Sequence, residues 1–173
     1  PEEYRNMFIG NIFNESAKRP PSPFGKEERD EWFETVYYPA KLLLPLYDGI
    51  DRIIKKLVKN YTLVINSSSS EESIGKILGK SKLGSYFKKV YGFETSIDKA
   101  EKFRMILEEY KVGPDECLLI TDTVGDVLEA KHYSIPSLGV TYGYQDRSYF
   151  NSIENEVIGF ADKPSDILNF IEN

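Results

Sequence analysis

Two carboxylates follow an apolar run in the stretch CLLITDTVGDVLEA, residues 117–130. Asp122 comes directly after the run, and Asp126 follows it four residues later. Carboxylate oxygens suit Mg²⁺, which commonly takes one or two protein carboxylates together with water and substrate oxygens. The same acids could instead cap the following helix and complement its dipole. The pair alone is therefore compatible with metal binding and with helix capping.

A run of four serines, residues 67–70, follows the apolar stretch TLVIN. A hydroxyl group and the free backbone N–H groups at a helix start form a good cradle for a phosphate. Ser67 and Ser68 are therefore candidate phosphate ligands. The alternative is that a serine of this run is simply the N-cap of the next helix, and both roles can fall to different serines.

A lysine lies at the start of a later predicted helix, in the stretch SIDKAEK. Lys99 falls in the first helical turn, after a cap at Ser96 or Asp98. A cation at this end of a helix opposes the helix dipole, which suggests a task such as neutralising a phosphate. Lys102, one turn further on, is the rival candidate, and a solvated lysine is the structural alternative.

These residues lie within a regular alternation of short apolar runs and amphipathic helices. We predict helices at about 50–59, 71–79, 98–111 and 124–132, and strands at about 61–66, 88–93, 117–121 and 137–141, before a strand, turn and helix in the tail. This alternation is typical of an α/β domain with a parallel, Rossmann-like sheet. Ligands bind such sheets outside the carboxyl ends of the strands, which is where the serines and the acids fall.

The N-terminal part of the chain has a different pattern. The breaker cluster AKRPPSPFGKEE separates two helical stretches, predicted at about 2–14 and 26–46, and two prolines should kink or break the second one. Its residues Trp32, Phe33, Val36 and Tyr37 recur at helical spacing and are predicted to form the core of a small helical lobe. We therefore expect a helical region over residues 1–47 and an α/β core over residues 48–173.

The composition restricts the classes of partner. The net charge is −6 and there is no long basic block, which argues against nucleic acid but allows a small anionic substrate. A single cysteine cannot form a disulfide within the chain, so a cytoplasmic protein is the simplest expectation. No apolar run approaches the roughly 20 residues that span a bilayer, so we expect no membrane segment.

The order of these features resembles a known family. Serine after one strand, lysine at a later helix start, and an acid pair after the next strand are similar to the last three signature motifs of the haloacid dehalogenase-like hydrolase superfamily. The stretch TDTVGDVLEAKHYSIPSLGVTYGY especially resembles the phosphoglycolate-phosphatase-type members, although these usually have glycine where this chain has Thr121. The resemblance covers about 48–173, and region 1–47 is similar to the cap lobe that such enzymes insert after their first strand.

The resemblance implies a role for each candidate residue. Ser67 and Lys99 would hold the phosphoryl group and take part in catalysis, with Ser68 beside them. Asp122 and Asp126 would help to hold Mg²⁺. The partner would be a small phosphorylated metabolite, but the helical region carries no readable code for its identity, and the oligomeric state is open.

One part of the family pattern is absent from the sequence. The first motif is an apolar strand that ends in Asp-x-Asp, in which the first acid is the nucleophile that forms an aspartyl-phosphate and the second is the general acid/base. This strand lies in the centre of the family's sheet, so we expect two unpaired strand edges here. We expect the sequence to be a fragment of a longer protein, or its strand to come from another chain, and the 173 residues alone to be inactive. A rearranged, non-catalytic relative is the third explanation.

Two functions follow from these features. The leading hypothesis is a Mg²⁺-dependent phosphate-monoester hydrolase that lacks its nucleophile motif here. The alternative is a non-catalytic phosphate-binding or regulatory domain that keeps Ser67, Lys99 and Asp122 as a ligand site. A phospho-receiver domain fits less well, because its acids precede the hydroxyl residue and the lysine in sequence.

Overall fold

The computed structural model describes residues 2–172, in which short parallel strands alternate with helices. The strands are β1 (Leu63–Asn66), β2 (Phe87–Tyr91), β3 (Leu119–Thr121), β4 (Ser137–Val140) and β5 (Gly159–Ala161). The α-helices are α1 (Glu2–Arg5), α2 (Ile12–Ala17), α3 (Lys26–Trp32), α4 (Tyr38–Leu43), α5 (Ile50–Leu57), α6 (Glu71–Lys80), α7 (Lys99–Tyr110), α8 (Val124–Lys131) and α9 (Ile167–Ile171). From α5 onward, each predicted helix and strand is confirmed to within a few residues.

The strands form two parallel groups, β1 with β2 and β3–β4–β5. Two apolar clusters place both groups in one layer. Ile53 of α5 packs in the cluster that contains Leu63 of β1 and Ile120 of β3. Phe103 of α7 belongs to the other cluster, with Val64 of β1 and Leu119 of β3. Successive strand residues thus point to opposite faces, and helices cover both faces of the layer. The predicted α/β architecture is confirmed.

The edges of β1 and β3 are unpaired in the described part of the chain. No strand of residues 2–172 pairs with β1 on the side away from β2, or with β3 on the side away from β4. The burial of the strands agrees with this pairing. All residues of β1 are half-buried, whereas β4, which has a partner strand on each side, is fully buried. Exposed edges of this kind offer backbone groups to another strand. The expected pair of unpaired edges is therefore present.

The first predicted helix is interrupted. A 3₁₀ turn, Asn6–Ile9, follows α1, and Gly10 is extended. Asn11 then starts α2 as its N-cap, with its side-chain oxygen accepting from the N–H groups of Phe13 and Asn14. An asparagine in this position favours a new helix start over continuation of the old one, which explains why the helical stretch predicted at about 2–14 is divided.

The second predicted helix forms with a π-helical turn inside it. The turn Phe33–Tyr37 joins α3 to α4 just before Pro39, whose ring cannot donate a helical hydrogen bond, and α4 ends two residues before Pro45. The predicted aromatic core of this region is wrong, because Trp32 is 50% exposed and Phe33 is 40% exposed. The ring of Phe33 instead packs on the rings of Trp32 and Tyr37 within the same region.

None of the helices in residues 2–172 combines the length and the apolar character that crossing a membrane requires.

Candidate functional site

The serine run forms a tight turn between β1 and α6. Ser70 is the N-cap of α6, and its Oγ accepts from the N–H of Ser73 at 3.2 Å. The Oγ of Ser67 accepts from the N–H of Ser69 at 3.1 Å, and Ser68 is half-buried in the same turn. Capping is therefore the role of Ser70, and the hydroxyl of Ser67 lies at the mouth of β1.

Lys99 links the end of β1 to the acids after β3. It is the first residue of α7, behind the N-cap Asp98, whose side chain accepts from Ala100 N–H at 2.8 Å. The carbonyl oxygen of Lys99 accepts from Asn66 Nδ2 at 3.3 Å. Its Nζ lies 2.5 Å from Oδ1 of Asp126, and the two side chains are only 13% and 18% exposed. The cation at the start of α7 is thus held beside the acid pair.

The acids after β3 do not cap α8. Thr123 occupies the N-cap position, and its side chain makes no capping bond. Asp122 instead accepts the backbone N–H of Tyr144 on Oδ2 at 2.7 Å. Oδ2 of Asp126 accepts a hydrogen bond from the hydroxyl of Thr121 at 2.9 Å. Its Oδ1 contacts Lys99, so each carboxylate oxygen of Asp126 has a partner. Asp122 is therefore not the cap of α8, whereas Asp126 lies in the first turn of that helix, where a carboxylate also complements the helix dipole.

The loop after β4 fixes the position of Asp122. Gln145 donates its backbone N–H to the Asp122 carbonyl at 3.2 Å. Its fully buried side chain accepts from Val124 N–H at 2.8 Å and donates to the Arg5 carbonyl at 3.0 Å. Gly143 packs so tightly that an added Cβ would overlap the Asp122 side chain. The sequence reasoning missed Gln145, although polar residues beyond the carboxyl end of β4 were a signal for it.

Lys102 has a different environment from Lys99. Its side chain is completely buried and donates from Nζ to the carbonyl oxygens of Ser67, at 2.6 Å, and Gly92, at 3.2 Å. Burial, followed by the nearby charge of Lys99, lowers the pKa of Lys102 to about 8. Lys102 therefore holds the Ser67 carbonyl of the serine turn, whereas the amine of Lys99 contacts Asp126.

The donor set at the strand ends fits a magnesium ion that shares its ligands with water and substrate. Among the side chains that the structure describes, no group of three or more His, Cys, Asp or Glu could hold a metal by itself. Asp122 and Asp126 supply hard oxygen ligands, and Mg²⁺ usually uses one or two such carboxylates. Two buried side-chain oxygens lie next to candidate site residues in sequence, Oγ1 of Thr123 after Asp122 and Oδ1 of Asn66 before Ser67. Neither has a hydrogen-bond partner in the described part of the chain, which suits a site completed by further polar groups.

The chain belongs to the haloacid dehalogenase-like hydrolase family, whose family model matches residues 1–140. It is 24% identical to a phosphoglycolate phosphatase of Vibrio vulnificus, over 96% of this chain and 75% of that protein. It is also 26% identical to a 5'-nucleotidase of Pseudomonas aeruginosa, over 70% of this chain and 59% of that protein. The resemblance drawn from the sequence motifs is thus confirmed at the level of the family.

Solved structures share the fold. A haloacid dehalogenase-like hydrolase from Streptococcus pneumoniae superposes with a TM-score of 0.71 at 20% identity, covering 98% of this chain and 90% of that chain. A protein from Haemophilus somnus, described as a predicted phosphoglycolate phosphatase, superposes with a TM-score of 0.75 at 19% identity, covering 99% of this chain and 82% of that chain. At these identities the likeness establishes the architecture alone.

Proposed function

We propose that the protein hydrolyses small phosphate monoesters with the help of Mg²⁺. The observation that carries the proposal is the Lys99–Asp126 contact at the open end of the parallel strands. This contact brings a cation and the acid pair together next to the end of β1, from which the serine turn begins. Cations, carboxylates and hydroxyls grouped in this way suit a phosphoryl group and its counter-ion.

In this proposal each polar residue at the strand ends has its own role. Ser67, with Ser68 beside it, donates hydrogen bonds to phosphoryl oxygens, and Lys99 offsets negative charge on the group being transferred. Asp122 and Asp126 hold Mg²⁺, which when bound would neutralise further charge on the phosphoryl oxygens.

The attacking group is proposed to come from a strand between β1 and β3. The unpaired edges of these two strands offer backbone groups to a parallel partner between them. Such a strand would bring its carboxyl end to the same edge as Ser67 and Asp122. In this proposal it carries the aspartate nucleophile of the family, and it comes from outside residues 2–172 or from another chain.

The proposal is tested by turnover of an aryl phosphate in the presence and absence of Mg²⁺. The assay needs a protein that contains the nucleophile strand. In that protein Asp122→Asn should weaken Mg²⁺-dependent turnover, and a variant as active as the unaltered protein would refute the metal assignment. Lys99→Ala should lower turnover more than Lys102→Ala does. A larger loss at Lys102 would mean that Lys102 is the phosphate-binding lysine.

A second experiment tests whether an added central strand completes the active site. The 173-residue chain alone should be inactive, and a synthetic apolar peptide that ends in Asp-x-Asp should restore measurable turnover. The same peptide with both acids replaced by asparagine is the matched control. Phosphate binding without turnover under all of these conditions would favour the alternative function, a non-catalytic phosphate-binding domain.

A further inference from the structure

The second helical stretch carries exposed apolar side chains along one side. α3, the π-helical turn and α4 follow one another without a break and form one helical rod. Trp32, Val36 and Leu43 are spaced four and seven residues apart, which brings side chains to the same side of a helix. Trp32 and Val36 are each 50% exposed, and Leu43 is 78% exposed. Together with two apolar neighbours in sequence they form a surface that we call the apolar stripe: Trp32, Phe33, Val36, Leu43 and Leu44.

The other side of the rod faces the α/β core. Lys41 donates from Nζ to Oγ of Ser69 in the serine turn at 3.1 Å. Tyr38 and Leu42 line a cavity of about 190 Å³ together with residues of α6. Tyr38, Lys41 and Leu42 are all half-buried. The rod is therefore held to the core by one side, and the apolar stripe is turned away from the serine turn.

The area of the apolar stripe matches the apolar share of a stable dimer interface. Leu44 is 69% exposed and Phe33 is 40% exposed, in addition to the three residues above. With roughly 150–250 Å² for each fully exposed large side chain, the stripe presents on the order of 500 Å² of surface. A standard interface covers about 800 Å² on each partner, of which about 60% is apolar. The stripe can therefore supply the apolar part of one such interface.

The charges along the rod favour an antiparallel second copy as the partner. Residues 26–34 contain five acids and two bases, whereas residues 38–47 contain Lys41 and no acid. An exposed lysine of α6, Lys80, also lies at this second end, where it donates to the carbonyl of Leu42. A twofold axis would place the acidic end of each rod beside the basic end of the other, with the helix dipoles antiparallel. A parallel pair would instead bring like charges together.

We propose that the apolar stripe is a dimerisation surface and that it binds the same stripe of a second copy of this chain. The two rods pack antiparallel across a twofold axis that passes near Val36, close to the middle of the stripe. Trp32 then packs toward Leu43 of the partner subunit. This inference does not rest on the proposed hydrolase function, because neither the serine turn nor the acid pair takes part in the interface.

Sedimentation equilibrium and tryptophan fluorescence over one range of protein concentrations test the inference. The protein should have twice the monomer mass at micromolar concentrations and dissociate on dilution. Trp32 is the only tryptophan of the chain, so its emission reports on the stripe alone. The emission should shift to shorter wavelength as the mass increases, because pairing removes water from the indole ring. A monomer at every concentration, or a dimer with the emission of the monomer, would overturn the inference.

Opposite charges at Val36 test the antiparallel arrangement. Val36→Glu and Val36→Lys should each weaken self-association at least about tenfold, because two like charges would meet near the axis. An equimolar mixture of the two variants should form the dimer again. Leu128→Glu, which alters an exposed apolar residue of α8, is the control and should associate like the unaltered protein.

Two results of the charge experiment would contradict the proposal. One is a mixture of the Val36 variants that stays monomeric. The other is self-association that survives both substitutions at Val36, which is the result expected if the copies pair through the unpaired edges of β1 and β3 instead.

Discussion

The stability cost of replacing Lys102 by methionine should rise with pH. Lys102 is fully buried and makes two hydrogen bonds to backbone carbonyls, and burial lowers its pKa from 10.5 to about 8. Between these two values the unfolded chain keeps the proton while the folded protein has released it. The unfolded state then binds more protons, so the stability of the unaltered protein increases with pH over this interval. Methionine has nearly the same length but no proton to release.

The size of the effect follows from the shift in pKa. Each pH unit between the folded and unfolded pKa values contributes about 1.4 kcal/mol to the free energy of unfolding. From pH 7 to pH 10 the difference between the unaltered protein and Lys102→Met should therefore grow by about 2.5 kcal/mol. At pH 7 the lost hydrogen bonds are partly offset by removal of a buried charge, so the cost of the substitution is smallest there.

Urea unfolding of both proteins at pH 7 and pH 10 measures this growth. With an m-value of about 2 kcal/mol per molar urea, the two midpoints should move apart by roughly 1 M. Comparison with the variant cancels the titration of the groups that do not interact with Lys102. Lys59→Met, which alters an exposed lysine just after α5, is the control and should show no comparable change. A difference that stays constant or shrinks toward pH 10 would refute the assigned burial of the Lys102 amine.

Three further substitutions test the packing around the site and in α6. Gly143→Ala should lower the affinity for Mg²⁺ and reduce the free energy of unfolding by about 1–3 kcal/mol, because the added Cβ would overlap Asp122. Mg²⁺ binding in calorimetry and a stability equal to those of the unaltered protein would contradict the tight contact. Gly75→Ala, within α6 and with no atom near the added Cβ, should instead raise the free energy of unfolding by about 0.4–1 kcal/mol in the same urea assay. Gln145→Leu removes the acceptor for Val124 N–H and should reduce the free energy of unfolding by about 1–3 kcal/mol. A urea midpoint equal to that of the unaltered protein would show that this hydrogen bond does not stabilise the fold.

The sequence predicted the α/β core well because its signals are local. Apolar runs, capping residues and helical periodicity each depend on a few neighbouring positions, and the strands and helices from residue 50 onward formed where expected. The order of Ser67, Lys99 and Asp122 pointed to the family for the same reason. Each lies directly after a strand or at a helix start, and a parallel sheet brings such positions to one edge.

The helical region was predicted less well because its pattern does not show what lies next to it. Periodicity placed Trp32 and Phe33 on one face but gave no information about whether another element covers that face. Asn11 starts a second helix within the helical stretch predicted at about 2–14, and the pattern of apolar residues did not reveal this division. Burial and interruption of this kind depend on the neighbours and on single capping bonds, which composition does not reveal.

The sequence by itself therefore determined the element order, the family and the residue types at the strand ends. Only the tertiary structure showed that Lys99 contacts Asp126, whereas Lys102, one helical turn further on, is buried against backbone carbonyls. It also brought Lys41 to the serine turn and Gln145 to Asp122. The physical reason is that an amine's role depends on which atoms surround it. For these residues the surrounding atoms belong to distant parts of the chain, which come together only when the sheet and its helices pack.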